Sequence, residues 1–250
     1  MSRWPPTIAG LAALVLWQGA VWLTDVPAYL VPGPVAIVRA FLAAPALLLG
    51  SLVSTLIVTF TALAVSTVLG VGLAVAITSS RWARAAIQPW AVALQVTPIV
   101  AIAPLIIAWV GDPFSALVAC ATIVAFFPIF SNTAIGLASP PTELLDLFRL
   151  NGAGGWATLR LLRLPAALPF FLAGLRISGG LALVGAVVAE FVAGAGGFAS
   201  GLAYRILESG YRLQIPRMFA ALVLLSAAGI AIDATLSGVG RVLLRRRGGA

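Results

Sequence analysis

Residues 113–142 read PFSALVACATIVAFFPIFSNTAIGLASPPT, and residues 143–165 read ELLDLFRLNGAGGWATLRLLRLP. The first stretch carries no charged side chain, whereas the second carries Glu143, Asp146, Arg149, Arg160 and Arg163. A helix needs ~20 consecutive apolar residues to cross the hydrocarbon core of a bilayer. Residues 113–142 meet that length, and 143–165 are too charged to remain inside. The boundary between them decides the fold class: apolar spans joined by polar segments.

Working outward, residues 4–24, 40–80 and 85–111 are also free of charge. The whole chain is 62% hydrophobic and 9% charged, where a soluble domain has about 25% charged residues. Such a chain has too few charges to cover a water-facing surface, and its mean hydropathy of +1.12 agrees. The runs predict an all-α, polytopic membrane protein with six transmembrane helices, near 7–24, 52–78, 87–110, 114–137, 167–193 and 217–239. Residues 25–51 form a segment broken by Pro27, Pro32, Pro34 and Pro45, and 194–216 a Gly-rich charged stretch. Residues 1–24 hold Arg3 and a run long enough to span, with no small-x-small site after it, so a retained span is expected rather than a cleaved leader.

Every basic residue is an arginine, and the arginines cluster between the apolar runs instead of forming one stripe. That distribution speaks for orientation signals and against a nucleic-acid partner. With six spans, both termini share a side with Arg3, Arg81, Arg84, Arg149, Arg160, Arg163, Arg241, Arg245, Arg246 and Arg247. The opposite side has Arg39, Arg205, Arg212 and the border residue Arg217. The positive-inside rule places both termini, and residues 138–165, in the cytoplasm.

Two spans have local features. Pro98 and Pro104 each remove a backbone donor from the third span, which predicts a kinked helix whose freed carbonyls turn to neighbours or to a water-lined pathway. In the fifth span, Gly174 and Ser178, then Gly185 and Ala189, place small residues four apart, a spacing that lets helix backbones approach closely. Gly179 and Gly180 extend that smooth face.

The absences restrict chemistry. Without His there is no Ser-His-Asp or Cys-His site and no His-ligated metal. Without Lys there is no GxxxxGK[ST] phosphate loop, so ATP-driven work would need another polypeptide. The lone Cys120 lies in an apolar run and reads as a small buried hydrophobe. These readings predict that the chain is not an enzyme and binds no metal or cofactor itself.

In the charged segment, Ser139 followed by Pro140 predicts a helix start. Glu143 and Asp146 then lie toward the positive end of the helix, with Arg149 three residues after Asp146. Gly152 suits the left-handed position that ends a helix. A second short helix over 154–162, with Trp156, Leu159, Leu161 and Leu162, ends at Pro165. This helix–Gly–helix hairpin is suited to docking on a protein; a membrane-surface hairpin is the alternative.

The spacing resembles the "EAA" loop of binding-protein-dependent ABC transporter permeases: an acid, two small residues, three more, Gly, nine more, then aliphatic-x-Leu-Pro. Asp146, Leu147 and Phe148 stand at the acidic triplet, Gly152 at the glycine, and Leu162, Leu164 and Pro165 at the close. Asp stands where the pattern has Glu, and two bulky residues stand where it has alanines. Val31-Pro32-Gly33-Pro34, Thr97-Pro98, Ala103-Pro104-Leu105, Gly174-Leu175-Arg176 and Ala189-Glu190 are similar to the nitrate/sulfonate/taurine branch, so the resemblance covers about 30–245.

The resemblance implies a type I importer permease, MetI-like, in a bacterial plasma (inner) membrane, with 1–250 as one transmembrane domain and 138–165 as its cytoplasmic coupling loop. It implies a cytoplasmic ATP-binding subunit that uses ATP, an extracytoplasmic substrate-binding protein, a second permease copy and surrounding lipid. The coupling residues would be Glu143, Asp146, Arg149, Gly152, Trp156, Arg160, Leu164 and Pro165. Pro98, Pro104, Arg176 and Glu190 are the pathway candidates; Arg176 contacts an anionic solute or fills a structural role, and Glu190 is a gate or a structural ion-pair member. Glu208, Arg205 and Arg212 would meet the binding protein or be solvated. A stand-alone secondary transporter or channel is the competing function, but it would need polar ion sites at the midplane, where Gln95, Asn132 and scattered Ser/Thr are the available groups.

Overall fold

In the computed structural model, residues 4–194 and 200–245 are described, 4–7 by backbone alone. Arg3, Arg246 and Arg247 of the orientation argument, and residues 195–199 of the Gly-rich stretch, lie outside the described residues. The described residues contain helices and no strand, in two compact units.

The first unit comprises Met1–Thr55 and Gly194–Ala228. Its elements are α1 (Trp4–Thr24), α2 (Pro34–Ala43), the first part of α3 (Pro45–Ser79), α10 (Leu202–Tyr211) and the first part of α11 (Ile215–Arg245). Pro34 opens α2, where a missing N–H is harmless. The Val35 N–H donates to Gln18 Oε1 of α1 at 3.0 Å. A Cβ at Gly33 would lie 2.8 Å from that oxygen, so a larger residue there would push the Gln18 side chain away from this bond. Ile37, Leu48, Leu202, Ile206 and Ala221 form the core of this unit. The stretch 194–216, expected as a loop, contains α10: its Gly201 N-cap has no side chain, and Thr55 Oγ1 instead accepts from the Leu202 N–H at 2.9 Å.

The second unit comprises Leu56–Ala193 and Gly229–Ala250. Besides the remainders of α3 and α11, it holds α4 (Arg81–Val96), α5 (Ile99–Val110), α6 (Pro113–Ala138), α7 (Thr142–Leu150), α8 (Gly155–Thr158) and α9 (Leu164–Ala193). The turn Gly111-Asp112-Pro113 forms as its sequence requires. Gly111 takes φ +72°, Asp112 accepts the Ser115 N–H at 2.8 Å, and Pro113 opens α6. Hydrogen bonds from the Ser115 hydroxyl and, second, from its N–H hold the Asp112 carboxyl below its usual range.

The centre of this unit is the contact of α6 with α9, and the small residues of α9 explain it. A Cβ at Gly174 would stand 2.6 Å from the Pro128 carbonyl oxygen, and one at Gly185 would stand 2.9 Å from the Ala121 Cα. Ser178 Oγ donates to the Ala125 carbonyl at 2.6 Å, and Ser66 Oγ of α3 donates to the Thr122 carbonyl at 3.1 Å. In lipid, where apolar burial gives helices little reason to associate, close packing and such bonds supply the attraction. Gly179 packs against Leu236 and Ile232 of α11, while a Cβ at Gly180 would meet nothing among the described residues, so Gly180 is not part of the contact.

Four described helices are long and apolar enough to cross a membrane, and the number is five if the bent pair of α4 with α5 counts as one span. The 21-residue α1 stands where the remaining expected span lies. The third span is not one kinked helix: α4 and α5 meet at 106°. A residue before proline is pushed out of helical geometry, and Thr97 is extended at φ −75°, ψ 123°. The break falls at Pro98, whereas α5 runs on through Pro104.

Candidate functional site

The segment between α6 and α9 lies wholly in the second unit. Ser139 does not start α7; it closes α6, with its Oγ donating to the Gly136 carbonyl at 2.8 Å. The N-cap of α7 is Pro141. Two adjacent prolines after Ser139 supply fixed φ but no N–H, so the helix begins at the next residue with a donor. Glu143 lies in the first turn of α7 and Arg149 in its last, where each complements the helix dipole. Arg149 donates to Asp146 at 2.9 Å across an exposed i,i+3 pair.

Gly152 has φ +70°, which a side chain would strain. Its N–H reaches the Arg149 carbonyl at 2.9 Å, and the Ala153 N–H reaches the Phe148 carbonyl at 2.9 Å, closing α7. Leu145 and Phe148 are half-buried; Leu150 is 87% exposed, and Leu144, Leu147, Trp156 and Leu161 are exposed as well. This is an apolar platform framed by charges.

The second short helix does not end at Pro165. After α8 the chain makes a π turn over Leu159–Arg163, in which the Leu164 N–H reaches the Leu159 carbonyl, and then enters α9. The ring of a helical proline clashes with the carbonyl four residues back. The wider turn directly before Pro165 absorbs that clash, so the helix is continuous over Gly155–Ala193. Trp156, Arg160, Leu164 and Pro165 therefore sit on one 39-residue rod with the fifth span. Arg160 is exposed, while Arg163 Nη1 donates to the Thr78 carbonyl at the end of α3, 3.3 Å away. A cleft of about 510 Å³, with Thr78, Leu145, Arg149, Trp156, Leu159 and Arg163 in its wall, lies beneath the hairpin.

Of the eight coupling candidates, Glu143, Asp146 and Arg149 share α7, Gly152 follows it, and Trp156, Arg160, Leu164 and Pro165 share the rod, with Arg149 and Trp156 in the wall of one cleft; the four pathway candidates are distributed over α5 and α9. Pro98 caps α5 and Pro104 is inside it. Arg176 lies in α9 and pairs with Asp233 of α11, Nε to Oδ1 at 2.7 Å and Nη2 to Oδ2 at 3.0 Å. Glu190 is buried near the C-terminal end of α9. The sequence reading missed Asp233, although a lone acid in one span and a lone base in another is itself a signal for pairing.

In the first unit, Glu208 gathers three arginines: Arg205 at 2.8 Å, Arg212 at 3.1 Å and Arg217 at 3.3 Å. Arg205 also donates to Ser51 Oγ at 3.0 Å, and Arg217 to Ser209 Oγ at 3.0 Å. The hydrogen bond from Arg205, aided by all three positive charges, holds the Glu208 carboxyl below its usual range. The residue is 14% exposed. Glu208, Arg205 and Arg212 form one network with Arg217 rather than separate solvated charges.

These features have counterparts in known proteins. The family model described as "Binding-protein-dependent transport system inner membrane component" matches residues 66–246. The riboflavin transport system permease protein RibX of Chloroflexus aurantiacus is 32% identical over 97% of this chain and 91% of its own length. The formylaminopyrimidine transport permease protein ThiX of Halalkalibacterium halodurans is 33% identical over 96% and 94%. The putative aliphatic sulfonates transport permease protein SsuC of Bacillus subtilis is 30% identical over 94% and 84%. Among solved structures, an amino acid ABC transporter with histidines shares the fold at TM-score 0.66 and 18% identity, over 83% of this chain and 97% of that one. The inward-facing methionine ABC transporter MetNI does so at TM-score 0.60 and 22% identity, over 78% and 93%. This chain, with its helix–Gly–helix hairpin running into a long span, belongs to the family of binding-protein-dependent transport system inner membrane components, the permeases of ABC importers.

Proposed function

We propose that residues 143–165 are the inward-facing grip of a cytoplasmic ATP-binding subunit and that ATP is used by that subunit. The observation that carries this reading is the unbroken helix from Gly155 to Ala193. A force on Trp156 or Arg160 acts on one end of a rod whose other end lies among the spans. Asp146 and Arg149 brace α7, Gly152 sets the angle between α7 and the rod, and exposed Leu150 and Trp156 offer apolar anchors. Glu143, Leu164 and Pro165 complete the docking segment.

In this reading both termini and the hairpin are cytoplasmic, supported by the arginine balance, and the membrane is a bacterial inner membrane. Two copies of the chain pair, each on one ATP-binding subunit, and an extracytoplasmic binding protein delivers a small solute to the outer face. Closure of the ATP-binding subunits shifts the population between inward- and outward-facing states, each ligand biasing one of them. Pro98, Pro104, Arg176 and Glu190 border the path, with Arg176 engaged by Asp233 rather than reserved for an anion. The relatives' solutes, riboflavin, formylaminopyrimidine and aliphatic sulfonates, bound the class to small heterocycles or small anions.

The test is co-purification of the ATP-binding subunit with the wild-type chain and with Asp146→Arg and Trp156→Glu. Loss of the subunit from both variants, in protein that remains membrane-inserted and monodisperse, supports the reading. Unchanged co-purification and uptake would refute it.

A further inference from the structure

The break between α4 and α5 does more than bend a helix. Pro98 has no N–H, so the Leu94 carbonyl loses its helical partner. Beside it, the Gln95 amide makes no hydrogen bond among the described residues. Thr97 Oγ1 donates to the Ala93 carbonyl at 2.7 Å, which leaves its lone pairs as acceptors. Leu94, Gln95 and Thr97 line a cavity of about 290 Å³ whose other walls include Ile99, Phe127 of α6 and Leu181 of α9. Among the described residues, no charged side chain lines it. Ligand sites have this composition: mostly apolar walls with a few convergent polar groups.

We propose that this cavity is the solute-contact site within the membrane, and that it takes a neutral, planar ring carrying an amide-type N–H/C=O edge. The proposal rests on the permease reading and narrows its solute class. The Gln95 amide offers one donor and one acceptor side by side, the complement of a lactam edge. The Leu94 carbonyl accepts a second N–H, and Phe127 and Leu181 cover the ring faces. A sulfonate or nitrate would shed its hydration here without meeting a cation, which disfavours it. Of the two classes left open above, the cavity chemistry selects the heterocycles.

The experiment uses the complete transporter in proteoliposomes, carrying Cys120→Ser and Thr97→Cys. The rate at which a small water-soluble methanethiosulfonate labels position 97 is measured alone and with saturating uracil, lumichrome or taurine. Slowing by about fivefold or more with uracil or lumichrome, as site occupancy requires by mass action, and no slowing with taurine, is the expected result. Adding Gln95→Leu abolishes that protection while labelling persists. No protection by either ring, equal protection by taurine, or no labelling from water overturns the proposal. Failure of the permease reading itself shows separately, as loss of the ATP-binding subunit from the unlabelled wild-type complex.

Discussion

Arg176 and Asp233, 57 residues apart, close a two-pronged ion pair between α9 and α11 at 2.7 and 3.0 Å. Both lie within long apolar helices, where a charge without a partner is costly and a bidentate guanidinium–carboxylate pair is the favourable arrangement. Their side chains remain 55% and 51% exposed in the single chain. The pair ties the rod that begins at the 143–165 hairpin to the last long helix.

Removing one partner leaves the other charge uncompensated, whereas exchanging them retains the pair. Asp233→Asn and Arg176→Gln are each expected to lower the apparent Tm of the solubilised protein by a few degrees. The exchange Arg176→Asp with Asp233→Arg is expected to restore most of it. Fluorescence-detected size-exclusion after heating measures this.

Gly152 is exposed with open space where a Cβ would stand, so its requirement is conformational, not steric. Gly152→Val forces a branched residue into the left-handed region at ~1–2 kcal/mol, whereas Gly152→Asn tolerates it. Uptake and retention of the ATP-binding subunit are expected to fall several-fold for Val and to stay near wild type for Asn. Equal behaviour of the two variants would show that the left-handed turn is not what the hairpin needs.

The helix contact makes a sharper steric prediction. Gly174→Ala drives a methyl against the Pro128 carbonyl and is expected to destabilise by ~1–3 kcal/mol. Gly180→Ala, in the same helix with nothing near it, is expected to be neutral or stabilising by up to ~1 kcal/mol. The pair of Tm values separates packing from helix propensity.

Glu208 supplies a pH dependence. Its carboxyl is held below the ordinary glutamate value of about 4.3, so its network contributes fully above that pH and is lost as pH falls through the lowered folded-state value. Glu208→Gln is expected to lower stability by ~1–2 kcal/mol at neutral pH, since three arginines lose their negative partner and one of its two acceptor oxygens becomes a donor. The difference between wild type and variant should shrink as the medium is acidified below the glutamate range. A difference that grows on acidification would contradict the assignment.

The sequence revealed what depends on composition and on short-range backbone rules. Uncharged runs located the spans, Gly111-Asp112-Pro113 located a turn, and the small residues of α9 located its packing face. The acid, glycine and proline spacing of 143–165 located the hairpin. What it concealed depends on partners remote in sequence or on how a proline is accommodated. Ser139 could cap either neighbouring helix, and the prolines after it decided for α6. Pro165 looked like a stop until a π turn absorbed it. Pro98 and Pro104 looked equivalent, yet the break falls at Pro98, where α4 ends, and α5 runs on through Pro104. Helix α10 was hidden because its first N–H is satisfied by Thr55, 147 residues away. Asp233 was visible as an isolated acid, but its partner was apparent once α9 and α11 were placed side by side.

In the proposed function, the hairpin at 143–165 transmits work from a separate ATP-binding subunit. Its most direct test is solute accumulation in proteoliposomes containing this chain with its binding protein, with and without the ATP-binding subunit and ATP. Accumulation against a gradient is expected in the presence of both and none when either is omitted. Accumulation by the chain without that subunit would contradict it.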